Sequence, residues 1–248
     1  MDLVSIIMPY HKKREYIKSA ILSVLNQTYQ NFEIYIIFDD ENIDDLPFIN
    51  EIVTLDNRIN LIVNKSNLGA GESRNLAIMR CGGNFIAFLD CDDWWHPNKL
   101  EFQINFMNVN NFLFTHTSYN IIDKDDKIIG FRQSKSVIDF LYLLKSCDIG
   151  LSTVVIKKNL LSMDICFPNL TTKEDYVLWL RLAKKGYKIH GIDKILTNWR
   201  KTKNSLSGSN FQKIMDGFIV YNQYMSFGYI KSILYLFRLS INALKKNK

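Results

Sequence analysis

Hydrophobic residues fall along this chain in short unbroken runs that alternate with stretches of helical periodicity. The runs predict strands at residues 4–8, 32–38, 59–63, 85–89 and 112–118. Between them, apolar residues recur every three or four positions and predict helices at residues 16–26, 72–80 and 98–109. Strands and helices that alternate in this order form right-handed βαβ units. The pattern therefore predicts an α/β fold with a mostly parallel sheet flanked by helices.

The rest of the chain predicts shorter elements. Thr171 and Glu174 have the spacing of a capping box, which predicts a helix that runs to Lys185 and is stopped by Gly186. The other predicted elements are a hairpin around residues 123–127, a helix at 137–144, strands at 153–156 and 188–192, and a polar, basic loop at 198–210.

Three carboxylates follow the central apolar run, at Asp90, Asp92 and Asp93. In open α/β sheets, ligands bind at the carboxyl ends of the strands, which is where these side chains fall. Carboxylates this close repel one another unless a cation lies among them, and Mg²⁺ or Mn²⁺ suits such oxygen ligands together with phosphates. The pattern predicts a metal–diphosphate site. The residues alone leave open a simple polar turn, with Asp93 capping the helix that begins near Pro97.

A second acidic pair, Asp39 and Asp40, ends the strand predicted at residues 32–38. Parallel strands present their carboxyl ends at the same edge of a sheet. We therefore expect Asp39 and Asp90 to line one cleft.

Composition is ordinary for a globular protein, but charge is unevenly distributed. The 248 residues are 47% hydrophobic and 23% charged, enough for one large α/β domain or two small ones. The net charge is +6, yet the segment from Lys194 onward carries +9, with Asp216 as its only acid. A basic tail on a mildly acidic body suggests an anionic partner such as phosphates, a membrane surface or nucleic acid.

Targeting and cysteine chemistry give little signal. The first apolar run is too short for a secretory signal, which predicts a cytoplasmic protein. The four cysteines have no metal-binding spacing, so we expect free thiols and neither a zinc site nor disulfides.

Seven motifs, in order, resemble those of the family 2 inverting glycosyltransferases of bacterial surface polysaccharide and lipooligosaccharide synthesis. That family has the GT-A fold, with a mostly parallel Rossmann-like sheet. The resemblance covers about residues 3–208, with departures at Glu41-Asn42, where Gly-Ser is usual, and at Lys201 and Lys203, where a His is common. The motifs are SIIMPY (5–10), NQTY (26–29), IIFDD (36–40), NLG (67–69) with SRN (73–75), FLDCDD (88–93), EDY (174–176) with LWL (178–180), and Arg200 with SLS (205–207).

The resemblance implies a GT-A domain over residues 1–210 and a basic amphipathic helical tail over residues 211–248. Within the domain, residues 1–118 would bind the nucleotide sugar and residues 119–210 the acceptor.

The resemblance also implies a UDP-sugar bound across the sheet edge. Asp39 would accept a hydrogen bond from the uracil N3–H, although a carboxylate that only ends a strand would look the same. Pro9 and Tyr10 would lie against the base, with the Tyr10 ring as a stacking face. Arg74 would contact the nucleotide or its diphosphate.

The metal implied by the resemblance is Mn²⁺ or Mg²⁺. Asp92 would be its ligand, and Asp90 would hold the ribose or a metal-bound water. A divalent ion there would neutralise the charge that develops on the departing diphosphate.

Inversion needs one general base, and the resemblance places it at Asp175. Glu174, Arg200 and Trp94 would contact the diphosphate or the acceptor. Acids in a first helical turn also stabilise the helix dipole, so a structural role for Glu174 and Asp175 stays open.

The function implied is transfer of a hexose or N-acetylhexosamine from a UDP-sugar to a saccharide or lipid-linked acceptor in cell-surface glycan synthesis. The alternative is a non-catalytic nucleotide-sugar or glycan-binding module on the same fold. Two further classes are disfavoured. A nucleic-acid partner is not expected, because the tail lacks an RNA-binding signature, and a nucleotidyltransferase would need a Gly-rich phosphate loop near the N-terminus.

The C-terminal tail has a helical stripe of apolar residues with basic residues beside it, the latter including Lys231, Arg238, Lys245 and Lys246. The stretch is too short for a bilayer span, which needs ~20 apolar residues. It predicts a basic amphipathic helix on the inner face of the cytoplasmic membrane. A helix packed on the catalytic domain, or on a second subunit of a homodimer, is the alternative. The apolar stripe consists of Ile230, Ile233, Leu234, Phe237, Ile241 and Leu244.

Overall fold

Ten strands form one sheet in the computed structural model, which describes residues 2–202 and 210–245. The strands are β1 (Val4–Tyr10), β2 (Phe32–Phe38), β3 (Ile59–Val63), β4 (Phe85–Phe88), β5 (Trp94–Trp95), β6 (Phe114–Ile122), β7 (Ile128–Arg132), β8 (Val137–Ile138), β9 (Val155–Lys157) and β10 (Ile189–Arg200). The helices are α1 (Arg14–Leu25), α2 (Leu46–Val53), α3 (Ala70–Arg80), α4 (Lys99–Asn110), α5 (Phe140–Leu143), α6 (Glu174–Lys184), α7 (Asn210–Ile219) and α8 (Tyr229–Lys245).

The sheet is mixed, with its strands in the order β3-β2-β1-β4-β9-β6-β10-β5. The first four of these are mutually parallel, whereas β9 is antiparallel to both β4 and β6. Strand β6 then pairs in parallel with β10. Because β2 and β4 flank β1 in the same direction, their carboxyl ends share one edge. That edge carries Asp39 and Asp90, as the sequence predicted.

Both faces of the sheet are covered, which explains the unbroken apolar run of β4. Phe85 and Ala87 belong to a core on one face, together with α1 and α4. Ile86 and Phe88 belong to the core on the other face, together with α6. Successive residues of a strand point to opposite faces, so a strand buried on both sides must be apolar throughout.

The capping box predicted at Thr171 is wrong. Helix α6 begins at Glu174, after Lys173 in the left-handed conformation with φ 65°. The backbone N–H and the hydroxyl of Thr172 instead both donate to Asp216 Oδ2, at 2.9 and 2.8 Å. The Glu174 side chain is used elsewhere in the fold, as described below.

The helix predicted at residues 137–144 is only partly present. Residues 137–138 form β8, which pairs with β10. The Asp139 carboxylate then accepts the Tyr142 N–H at 2.8 Å and caps the short α5. An Asx cap splits what looked like one periodic segment into two elements.

The C-terminal helices pack on the domain. After α7, a π-helical turn at Val220–Tyr224 buries Val220 and Tyr221 in the core. The Tyr221 hydroxyl donates to the Leu144 carbonyl at 3.0 Å, and the Asn242 amide of α8 donates to the Lys145 carbonyl at 2.9 Å. Within the described residues, every helix is too short or too polar to cross a bilayer.

Candidate active site

The three carboxylates of the acidic turn after β4 differ in their burial. Asp93 is buried, accepting the Ser152 hydroxyl at 2.5 Å and the Arg200 N–H at 2.8 Å. Asp90 is 34% exposed, and its own N–H donates to Ser152 Oγ at 3.1 Å. Ser152 therefore fixes the turn from both ends, and nothing in the sequence around it signals this role.

Asp93 is a structural carboxylate. Burial, and then the charges of Asp92 and Asp90, raise the pKa of Asp93 well above its usual range. It does not cap α4, whose N-cap residue is Asn98. The open alternative of a capping Asp93 is therefore wrong.

Asp92 forms an ion pair that the sequence did not predict, with Lys13 Nζ at 2.7 Å. Burial, and then the charge of Asp90, raise the pKa of the Asp92 carboxyl. A cation is therefore favoured beside it, and in this structure the ammonium of Lys13 is that cation.

Asp90 and Asp92 fit a divalent metal held jointly with phosphates. Their oxygens are hard donors of the kind that Mg²⁺ and Mn²⁺ prefer. No three Asp, Glu, His or Cys side chains converge on a metal-binding point anywhere in residues 2–202 or 210–245. The two carboxylates of Asp90 and Asp92 match the usual Mg²⁺ pattern of one or two carboxylates completed by substrate phosphates and water.

Arg74 joins the acidic turn to helix α6. Its side chain is 4% exposed, and its two terminal nitrogens each donate at 2.8 Å, one to Asp90 Oδ1 and the other to Glu174 Oε1. Burial opposes the charge on the guanidinium, but the two carboxylates outweigh it and raise the pKa of Arg74. In this structure Arg74 positions both carboxylates, and its contact with a nucleotide stays a prediction.

Asp175 lies at the start of α6 and is partly exposed. Burial, and then the neighbouring Glu174 charge, raise its pKa to about 7, although Arg74 and the Tyr176 N–H oppose the shift. A carboxylate with this pKa accepts a proton near neutral pH far more readily than an ordinary aspartate.

Asp39 organises the loop before α3. Its carboxylate is buried and accepts the Leu68 and Gly69 N–H groups, each at 2.8 Å, and the Asn64 amide at 2.7 Å. Oδ2 accepts only the Gly69 bond among these, so it retains capacity for one more donor. The uracil contact stays a prediction, and the role of Asn64 was not predicted.

Tyr10 does not offer a stacking face. Its ring is fully buried, stacks on Phe38 with centroids 5.5 Å apart, and its hydroxyl donates to Asp45 Oδ2 at 2.6 Å. The predicted stacking of this ring on a base is wrong because the ring has no accessible surface. Pro9, which is partly exposed, stays a predicted contact for the base.

Arg200 was predicted to contact the diphosphate or the acceptor. This prediction is wrong because protein acceptors already occupy its guanidinium. Its guanidinium is 2% exposed, and four of its five N–H bonds go to protein acceptors. Those acceptors are the carbonyls of Asp92, Asp123 and Lys124 and the Asp126 carboxylate. Arg200 therefore ties the acidic turn to the β6–β7 hairpin.

The contacts that Glu174 and Trp94 would make with the diphosphate or the acceptor stay predictions. Trp94 is partly buried, with its indole N–H donating to Asp126 at 3.1 Å, so its acceptor contact stays a prediction. Lys203 and the motif at residues 205–207 lie outside the described residues.

Comparisons with known proteins identify the family of the chain. Residues 5–165 match the family described as Glycosyl transferase family 2. The chain belongs to that family and is a glycosyltransferase.

Two relatives match over nearly their whole length. The chain is 37% identical over 247 residues to an Escherichia coli protein, "UDP-Glc:alpha-D-GlcNAc-diphosphoundecaprenol beta-1,3-glucosyltransferase WfgD", covering 99% of this chain and 95% of the relative. It is 32% identical over 248 residues to the Bacillus subtilis (strain 168) protein "Putative teichuronic acid biosynthesis glycosyltransferase TuaG", covering 98% and 97%.

Solved structures show that the fold is GT-A. The S. aureus TarS 1-349 complex with UDP-GlcNAc matches with a TM-score of 0.74 at 19% identity, over 95% of this chain and 70% of that one. The mannosyltransferase PcManGT from Pyrobaculum calidifontis, in complex with GDP-Man and Mn²⁺, matches with a TM-score of 0.70 at 13% identity, over 97% and 73%.

The central position of Arg74 gives a prediction about stability. Breaking a fully buried ion pair by removing one partner costs about 3–5 kcal/mol. Because Asp90 is one-third exposed, we expect Arg74→Met to lower the free energy of unfolding by about 2–3 kcal/mol, measured by urea denaturation.

Arg14→Met is the matched control. Arg14 pairs with Asp45 at 3.0 Å but is 57% exposed, so its loss should cost less than about 1 kcal/mol. Equal costs at the two sites would contradict a central role for the Arg74 bridge.

Proposed function

We propose that this glycosyltransferase moves a hexose or N-acetylhexosamine, with inversion, from a UDP-sugar to a saccharide or lipid-linked acceptor in bacterial surface glycan synthesis. The observation that carries the proposal is one connected site: Arg74 bonds both Asp90 and Glu174, beside Asp175 with its pKa near 7. The printed donor and lipid-linked acceptor of the Escherichia coli relative support the same substrate classes.

The donor half, residues 1–118, supplies the nucleotide site. Asp39 would accept the uracil N3–H through Oδ2 while it holds the loop at Leu68 and Gly69 in place. Asp90 and Asp92 would hold Mn²⁺ or Mg²⁺ at the sheet edge. When bound, that ion supplies positive charge to the departing diphosphate.

The acceptor half, residues 119–210, supplies the base. Asp175 would take the proton from the acceptor hydroxyl as that oxygen attacks the anomeric carbon. Glu174 is less suited to the role because its carboxylate already accepts a charge-assisted hydrogen bond from Arg74.

A binding module without activity is the competing function. It needs the nucleotide contacts but has no use for a carboxylate with a pKa near 7. UDP release from UDP-sugars, with and without acceptor, separates the two: the binding module releases none.

The proposed metal site predicts dependence on divalent cations. Addition of EDTA should abolish transfer, and Mn²⁺ or Mg²⁺ should restore it. Asp92→Asn should reduce turnover by at least ~10²-fold, because one ligand charge is lost where leaving-group charge develops. Asp125→Asn, at a 57% exposed carboxylate of the hairpin turn, is the control and should leave turnover unchanged. Full activity in EDTA would rule out the metal.

The proposed base predicts both a rate loss and a pH dependence. Asp175→Asn should keep the donor affinity within a few-fold but lower turnover by at least ~10²-fold. Since the base must be ionised, kcat/KM of the wild type should fall tenfold per pH unit below about 7 and level off above it.

The matched control is Asp164→Asn, an exposed aspartate in a loop, which should keep both the rate and the profile. Residual activity of Asp175→Asn should lose the limb near pH 7. If the variant retains that limb, another group is the base.

We further propose that α8 docks the enzyme on the anionic inner face of the cytoplasmic membrane. The helix packs on the domain through Ser232 and Leu239, while its apolar stripe points outward, with Ile230 79% and Phe237 63% exposed. Lys231 and the other basic residues of α8 lie beside this stripe. Exposed apolar area combined with basic charge is the composition of an interfacial helix.

The docking proposal predicts lipid-selective sedimentation. Wild-type protein should pellet with anionic liposomes, less with neutral ones, and less as salt increases. Ile230→Glu/Phe237→Glu should abolish pelleting, whereas Val109→Glu/Met163→Glu, at equally exposed apolar residues elsewhere, should not. Protein that stays in the supernatant but dimerises through α8 in analytical ultracentrifugation would assign the stripe to a second subunit instead.

A further inference from the structure

A pocket of about 410 Å³ opens in the acceptor half, between the end of β7 and the segment that follows α5. Its lining includes two cationic side chains, Arg132 and Lys135, and two aromatic ones, Phe131 and Tyr142. Asp148 lines it as well, and its carboxylate accepts the Tyr142 hydroxyl. With two cations against one carboxylate, the pocket is net positive. Its volume is within the range of small-molecule sites.

One wall of the pocket is rigidly built. The Gln133 amide donates to Asp193 Oδ2 at 2.7 Å, and the Ser134 N–H donates to Ser118 Oγ at 2.9 Å. A Cβ on Gly191 would lie 2.1 Å from the Lys135 carbonyl oxygen, so only glycine lets β10 approach this segment. The Arg132–Lys135 segment is therefore fixed before any ligand binds, which lowers the cost of binding.

One lining residue of the pocket, Asp148, is close along the chain to a residue that bonds the acidic turn. Asp148 is four residues from Ser152, so the Cα atoms of these two residues lie at most about 14 Å apart. Ser152 in turn forms hydrogen bonds with Asp90 and Asp93 of the acidic turn. Cys147, the chain neighbour of Asp148, has its pKa raised to about 12 by burial and next by the Asp175 charge.

The opposite side of the same segment contacts the C-terminal helices. Leu144 and Lys145 accept hydrogen bonds from Tyr221 and Asn242, respectively. The segment from Tyr142 to Asp148 therefore lies between the pocket and the helix that we propose to dock on the membrane.

We propose that this pocket binds the diphosphate-linked sugar of a lipid-carried acceptor, an inference that rests on the proposed function. Arg132 and Lys135 would hold the phosphates, since guanidinium and ammonium groups are the common partners of phosphate oxygens. Phe131 offers an exposed flat face on which a sugar ring packs, and the Lys135 ammonium is held over the Tyr142 ring, 4.7 Å from its centroid. The acceptor hydroxyl would then point towards Asp175.

The test compares two acceptors that carry the same sugar, one on a lipid diphosphate and one on a neutral alkyl glycoside. Arg132→Gln/Lys135→Gln should raise KM for the diphosphate acceptor at least about tenfold, the scale of losing one charge-assisted hydrogen bond. KM for the neutral acceptor and UDP release without acceptor should stay within about twofold. The matched control is Lys124→Gln/Lys127→Gln, which removes the same charge from the exposed hairpin turn and should change neither KM.

Three outcomes would overturn the pocket assignment. One is an unchanged KM for the diphosphate acceptor, and another is an equal rise for both acceptors. The third is inhibition by excess UDP-sugar that disappears in the double variant, which would assign the pocket to a second nucleotide sugar. Failure of the proposed function looks different, because the wild type itself would then release no UDP from any donor.

Discussion

A single buried guanidinium, that of Arg74, lies between two carboxylates from different halves of the chain. Asp90 follows β4, and Glu174 begins α6, 84 residues further along the chain. Two carboxylates in a poorly solvated cleft would repel each other, and the cation between them turns that repulsion into a link. The same link sets the distance between the proposed metal ligands and the proposed base. Close packing supports it, because a Cβ on Gly71 would lie 2.9 Å from the Pro168 carbonyl oxygen.

Around this link, each carboxylate of the site has a different environment and therefore a different role. Asp93 is buried and bonded to backbone and hydroxyl donors, so it shapes the turn. Asp90 and Asp92 keep solvent access and pair with cations that a divalent ion can replace or join. Asp175 forms no ion pair within residues 2–202 and 210–245, and burial, and then the Glu174 charge, raise its pKa to about 7. The presence of a cation beside Asp90 and Asp92, and its absence beside Asp175 among the described residues, is consistent with the different roles that we propose for them.

Much of the fold followed from periodicity, because the two-sided burial of β1, β2 and β4 requires continuous apolar runs. The hairpin at residues 123–127 and the stop at Gly186 followed from turn chemistry. The periodicity gave no separate signal for β5, which is only two residues long, or for the division of residues 137–144 by the Asp139 cap. Short elements of this kind depend on tertiary partners that periodicity does not reveal.

The site was predictable only as a set of residue types at one sheet edge. Tyr10 and Arg200 carry suitable chemistry, but the fold buries both in hydrogen bonds with protein. Lys13, Ser152 and Asn64 were missed because each acts through a partner distant in sequence. Long-range pairing of this kind becomes visible only when the strands are assembled.

The central claim is that one base, Asp175, drives attack from the face opposite the departing diphosphate. The most direct test is the anomeric configuration of the product, read from the proton coupling constant by NMR after transfer from an α-linked UDP-sugar. The account predicts a β-linked product, because a single displacement inverts the anomeric carbon. An α-linked product would contradict it, since retention requires a different arrangement of groups from the one described here.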